Sequence, residues 1–132
     1  GDNTLPQSGT NRDFCYSSGY EYWGKMESDG NVLSSGKKET VLRSNKKKIK
    51  RDATYDMIVH YEVIQAKEDN AAVFRIRNAQ DEIIAEQEMP KDATEIRIRD
   101  VSVTQSMEWI RYRINSQKGS KIRIKSIETV AQ

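Results

Sequence analysis

The residues best suited to recognition chemistry are aromatic and basic. Tyr16, Tyr20, Tyr22 and Trp23 crowd one stretch, RDFCYSSGYEYWGKM, from Arg12 to Met26. Flat rings suit sugars, because the C–H faces of a pyranose stack on them at little entropic cost. The same rings could instead fill a core. Tyr20 and Tyr22 share a parity and Trp23 has the other, so on a strand at least one ring faces outward. Near the C-terminal end, Trp109, Arg111 and Arg113 fall on one side of the run MEWIRYRIN. Arg75, Arg97, Arg99 and Arg123 hold comparable alternate positions in other segments. If those strands are neighbours, an aromatic platform would sit in a guanidinium-lined sheet suited to an anionic sugar such as a uronate. The competing expectation is a solvated face. There the arginines pair with Glu82, Glu86, Glu88, Glu95 and Glu108, and Trp109 lies under an arginine as a cation–π partner. The candidate carbohydrate-binding residues are therefore Tyr20, Tyr22, Trp23, Trp109, Arg111 and Arg113.

Other constellations point less far. Eight of the residues from Lys37 to Arg51 are Lys or Arg, against the single acid Glu39. Phosphate neutralisation gives such a run a route to nucleic acid, yet no nucleic-acid motif accompanies it. A solvated loop, or an edge strand guarded by lysines, is the favoured reading, with an anionic polymer as the rival. His60 is the sole histidine and Cys15 the sole cysteine, and no nucleophile elbow, phosphate loop or metal-ligand spacing is present. The expectation is no catalytic residue, no metal and no cofactor, with His60 structural on its strand.

Elements that could position these residues alternate with a period of two. Met107 to Val130 reads as two strands, a hairpin with its turn at Ser116 to Gly119. Ile110, Tyr112 and Ile114 face one way in the first strand, and Ile122 and Ile124 do so in the second. The alternation falters at Ser126-Ile127, which predicts a bulge or a strand end. Tyr55 to Gln65 is the longest strand, with Tyr55, Met57, Val59, Tyr61 and Val63 on one parity and Asp56, His60 and Glu62 on the other. Shorter segments at Val73 to Arg77, Glu82 to Met89 and Glu95 to Arg99 follow, with turns at Lys67 to Asn70, Asn78 to Gln80 and Met89 to Asp92. Ser28 to Asn31 (SDGN) reads as a tight turn. Roughly eight to ten strands at short, even spacing indicate an all-β antiparallel sandwich or barrel. Tyr55, Met57, Val59, Tyr61, Ile110, Tyr112, Ile114, Ile122 and Ile124 are the expected core.

The 132 residues suit one domain, with residues 1–11 as a flexible tail or linker and 12–132 as a β-sandwich. Apolar residues make up 36% and charged residues 32%, a balance that sheets with one polar face produce. With 22 basic against 20 acidic residues, only local clustering of charge carries information. A single cysteine excludes an intrachain disulfide. No apolar run approaches the roughly 20 residues of a membrane span. Gly1 opens the chain without a methionine, as in a processed protein or one expressed without its leader.

Two segments carry a family resemblance. ATYDMIVHYEV, Ala53 to Val63, resembles the strand opening with Gly-Thr-Tyr in galactose-binding-like jelly rolls. The ending, an Ile/Tyr/Ile strand, a turn with glycine and then KIRIKSIETV, resembles the last hairpin of the same group. The resemblance implies a jelly-roll sandwich of the kind used as carbohydrate-binding modules beside secreted glycan-degrading enzymes. Members often carry an acidic residue just before the final Ile-Glu pair, where it helps to bind a structural calcium; this chain has Lys125-Ser126 there. The expected function is a non-catalytic carbohydrate-binding module or accessory domain, secreted or on the cell surface, for an oligo- or polysaccharide, neutral or anionic. The alternatives are a structural or protein-interaction sandwich of an envelope protein, and a basic module for anionic polymers.

Overall fold

The computed structural model describes residues 8–11, 14–17, 24–25, 33–34, 40–44, 53–77, 80, 82–103, 111–116 and 120–131, with side chains for 54–77, 80, 82–102, 114 and 120–130. Among the described residues there is no helix, and every strand pairing is antiparallel. The strands are β1 (Ser8–Asn11), β2 (Phe14–Ser17), β3 (Gly24–Lys25), β4 (Leu33–Ser34), β5 (Thr40–Ser44) and β6 (Ala53–Gln65). They continue with β7 (Asn70–Arg77), β8 (Ile83–Pro90), β9 (Glu95–Val103), β10 (Arg111–Ser116) and β11 (Lys121–Ala131).

Two sheets form. One has the order β1-β11-β6-β9, with β4 also paired to β11; the other runs β3-β2-β5-β10-β7-β8. From β4 onward the chain changes sheet at every connection except β7 to β8. One buried cluster joins the two sheets. Tyr55, Met57, Val59, Tyr61, Ile96, Ile98, Val101, Ile122, Ile124 and Ile127 enter it from the first, and Ala72, Phe74, Ile76, Met89 and Ile114 from the second. Period-two alternation supplies those residues directly, since every second side chain of a strand faces the same way. Of the expected core, Ile110 lies outside the described residues. Tyr112 stands in register with Ile76 and so shares the core face by backbone position.

The expected hairpin from Met107 to Val130 is not one. β10 pairs with β5 and β7, whereas β11 pairs with β1, β4 and β6. The intervening residues carry the chain from one sheet to the other, so Ile114 and Ile122 meet the same core from different sheets. Ser120, buried at that crossing, donates from Oγ to the Ala71 carbonyl at 2.7 Å. Alternation fixes which face of a strand is apolar and leaves open which neighbour it pairs with. The break at Ser126 does mark a register shift, between Ile124 and Ser126.

Two further expectations shift. Ser8–Asn11, inside the stretch read as a tail, pairs with Ile127–Val130 of β11; backbone pairing needs no apolar side chain. Within the basic run from Lys37 to Arg51, Thr40–Ser44 is an interior strand between β2 and β10, not an edge.

Candidate functional site

The sheet containing β10 brings together part of the expected basic face. Phe74, Ile76 and Ile114 point into the core, so Arg75, Arg77, Arg111 and Arg113 hold the outward face of β7 and β10. Arg111 stands directly opposite Arg43 of β5 on one side and Arg77 of β7 on the other. Three arginines are therefore abreast on adjacent strands, each step about 4.8 Å across the sheet. The row continues from Arg43 through Cys15 to Lys25 and ends beyond Arg77 at Ile83. The next outward row pairs Arg113 with Arg75 and ends in Glu86, where Arg75 Nε donates to a carboxylate oxygen at 2.5 Å. Like charges directly opposite destabilise a sheet.

Arg97, Arg99 and Arg123 lie in the other sheet, on β9 and β11, so the single arginine-lined face expected above divides in two. Here cations meet acids. Arg97 binds Asp56 Oδ2 through Nε at 3.0 Å and Nη2 at 2.9 Å, while Arg99 Nη1 lies 3.9 Å from the same oxygen. Arg123 Nη1 is 3.4 Å from Glu62, and Lys125 Nζ is 3.9 Å from it. Of the glutamates expected as partners, Glu86 pairs with Arg75, while Arg97 and Arg123 take Asp56 and Glu62 of β6.

Asp56 itself is a structural anchor. Its register neighbours Tyr55 and Met57 pair with Val101 and Ile98, which leaves Arg99 and Asp100 bulged opposite Asp56. Asp100 has φ 57°, a left-handed conformation, and donates its backbone N–H to Asp56 Oδ1 at 3.0 Å. His60, half-buried on the same outward face, is 2.5 Å through Nε2 from Glu128. At the position where the family resemblance puts a calcium-binding acid, Lys125 presents an ammonium group toward Glu62. A cation already occupies that neighbourhood, so the residues do not fit a calcium site.

Tyr20, Tyr22, Trp23 and Trp109 lie outside the described residues. Tyr16 stands opposite Leu42, in the row that runs through Tyr112 to Ile76, and so takes a core-face position. Arg43, Arg77 and Lys25 escaped sequence reasoning. The parity of Arg77 with Arg75 was visible in VFRIR, but the alignment of Arg43 with Arg111 required knowing that β5 and β10 pair. Among the described residues no helix is long and apolar enough to cross a membrane.

No family model and no curated protein matches the sequence. Among solved structures, the fold is similar to part of an arabinose-bound α-L-arabinofuranosidase, with a TM-score of 0.53 and 9% identity. The likeness covers 76% of this chain and 19% of that enzyme, so this chain spans about a fifth of the enzyme's length. At that identity the likeness defines a class of fold: an all-β, antiparallel architecture that also occurs within a carbohydrate-active protein.

Proposed function

We propose that this chain is a non-catalytic carbohydrate-binding domain, a jelly-roll sandwich acting as an accessory to a secreted or surface-displayed glycan-processing system. The observation that carries the reading is the architecture: two antiparallel sheets around one core, a fold shared with a segment of an arabinofuranosidase. Such a scaffold presents a broad sheet face on which a glycan can lie without a deep pocket. Recognition would come from ring stacking by Tyr20, Tyr22, Trp23 or Trp109 and from hydrogen bonds donated by Arg111 and Arg113. The reading assigns no chemistry to the chain. Its sole histidine is engaged by Glu128, and its sole cysteine lies on a strand paired on both sides.

The test is a glycan array with the purified domain, followed by titration calorimetry on the best ligand with Tyr20→Ala, Tyr22→Ala, Trp23→Ala and Trp109→Ala. At least one variant should lose about tenfold or more in affinity, the scale of a lost base- or sugar-stacking ring. Absence of any glycan binding, with all four rings buried in an experimental structure, would replace this reading with a structural or protein-interaction scaffold.

A further inference from the structure

We infer that the outward stripe Lys121, Arg123 and Lys125 of β11 is a binding site for an acidic polysaccharide lying along the strand. The inference rests on the carbohydrate-binding reading and names its substrate class, with a site for it away from the aromatic residues.

The balance of charge within the first sheet carries the argument. Ile122 and Ile124 are fully buried, so Lys121, Arg123 and Lys125 alternate onto the outward face, the two lysines exposed and the arginine partly so. Arg97, on β9, is held by Asp56 through bonds of 3.0 and 2.9 Å, a fork-on-carboxylate geometry that leaves little for a ligand. The β11 cations are held far more loosely. Arg123 reaches Glu62 through Nη1 alone at 3.4 Å, its Nε makes no hydrogen bond, and Lys125 stands 3.9 Å from the same Glu62 oxygen. Lys121 has Gln65 as its register partner on β6, and Arg123 has Leu33 on the β4 side. Among the described residues, three cations thus share the one carboxylate of Glu62, which is itself open to solvent. Ion pairs of that kind hold little energy, so an incoming anion displaces Glu62 at small cost. The stripe runs about 13 Å along the strand, with successive cations about 6.6 Å apart. A chain of repeated carboxylates or sulfate esters engages two or three of them at once, each engagement favouring the next, where a single small anion gains one. Ile64, exposed in the β6 bulge opposite Lys121 and Ile122, adds an apolar patch on which the C–H face of a sugar ring can rest. The described outward positions of β6, β9 and β11 hold no Phe, Tyr or Trp, the rings on which unpaired bases stack.

The experiment measures binding of the full chain to five probes at low and physiological salt. They are an oligogalacturonate, a sulfated oligosaccharide, monomeric galacturonate, a neutral galactan oligosaccharide and a single-stranded oligonucleotide. The variants are Lys121→Gln, Arg123→Gln, Lys125→Gln and Glu62→Gln. Arg99→Gln is the control of equal charge change, since Arg99 lies by Asp56, about 20 Å along β6 from Glu62. At least one acidic oligosaccharide should bind about tenfold or more tightly than both the neutral one and the monomer. The better of the two identifies carboxylate or sulfate as the anion recognised. Each stripe variant should lose several-fold in affinity with a shallower salt dependence, while Arg99→Gln changes little. Glu62→Gln should gain several-fold, because it releases Arg123 and Lys125 to the ligand; a merely structural pairing would give a loss or no change. Lys121→Gln and Lys125→Gln alter exposed side chains, so they read the stripe even if Arg123→Gln folds poorly. Equal binding of neutral and acidic glycans, or acidic binding unmoved by the stripe variants, overturns the inference and leaves the carbohydrate reading standing. Tighter binding of the oligonucleotide overturns it in favour of a nucleic-acid surface. If no glycan binds, both readings fall.

Discussion

Asp56 shows how one polar side chain can be placed on the outward parity of a strand and still be buried. Its carboxylate receives two bonds from Arg97 and one from the Asp100 backbone, and it fixes the point where β9 bulges against β6. Hydrogen bonds to a charged group are worth about 1.5–3 kcal/mol, and Arg97 keeps some access to solvent, so Asp56→Ala should cost about that much in urea unfolding. Asp100→Gly keeps the backbone N–H that donates to Asp56 and adopts a φ of 57° freely, so it should cost less than Asp56→Ala. An equal loss in both variants would move the stabilisation from the Asp56 carboxylate to the Asp100 side chain. Tyr61 gives a pH signature. Burial pushes its phenol up from 10.0 to about 12, and burial raises Tyr55 as well. The folded state therefore holds its phenolic proton where the unfolded chain has lost it. Stability from this source is fully present below about pH 10 and falls as pH rises toward 12. Melting temperatures should decline over that window, and Tyr61→Phe should make the decline shallower. At neutral pH the same variant loses the 2.7 Å bond to the Pro90 carbonyl, a cost of about 1 kcal/mol.

Among the elements, β11 organises the first sheet. Its one side pairs with β6 along nearly its whole length; its other side is shared between β4 near Ile122 and β1 near Val130. Ile122 and Ile124 are fully buried between those pairings, and truncating either to alanine should cost about 2–5 kcal/mol in chemical denaturation. Ile64, exposed on the outward face of β6, supplies the control: Ile64→Ala should stay within about 0.5 kcal/mol of the parent. Melting temperatures unchanged by Ile122→Ala and Ile124→Ala would contradict the packing of this strand. β10 is the counterpart in the second sheet, paired on both sides, so Arg111 and Arg113 each have a register partner on β5 and on β7.

At the level of the whole molecule, repeated crossing between sheets ties both to one core. β4, β6 and β9 each lie between strands of the opposite sheet in sequence, and β11 follows one, so neither sheet is a contiguous piece of chain. Loss of one sheet would strip the apolar face of the other. Urea unfolding followed by far-ultraviolet circular dichroism and by tryptophan fluorescence should accordingly give coincident, single transitions. Separated midpoints would mean that the sheets unfold independently. Both outward faces carry cross-strand ion pairs, Arg97–Asp56 and Arg123–Glu62 on one and Arg75–Glu86 on the other.

Period-two patterning was enough to identify the antiparallel all-β class and part of the core, because burial on one face of a strand is written in consecutive residues. Tyr55, Met57, Val59 and Tyr61 show this, as do Ile122 and Ile124. The falter at Ser126 was equally local and marked a real register shift. Partnership between strands is not local. Nothing in the residues from Met107 to Val130 separates a hairpin from a crossing between sheets, since both satisfy the same alternation. Only the tertiary structure set Arg111 between Arg43 and Arg77, and sent Arg97 and Arg123 to carboxylates on another sheet. The physical reason is that side-chain direction follows from the backbone of one strand, whereas the charge standing opposite depends on which distant segment supplies the neighbouring strand and in what register.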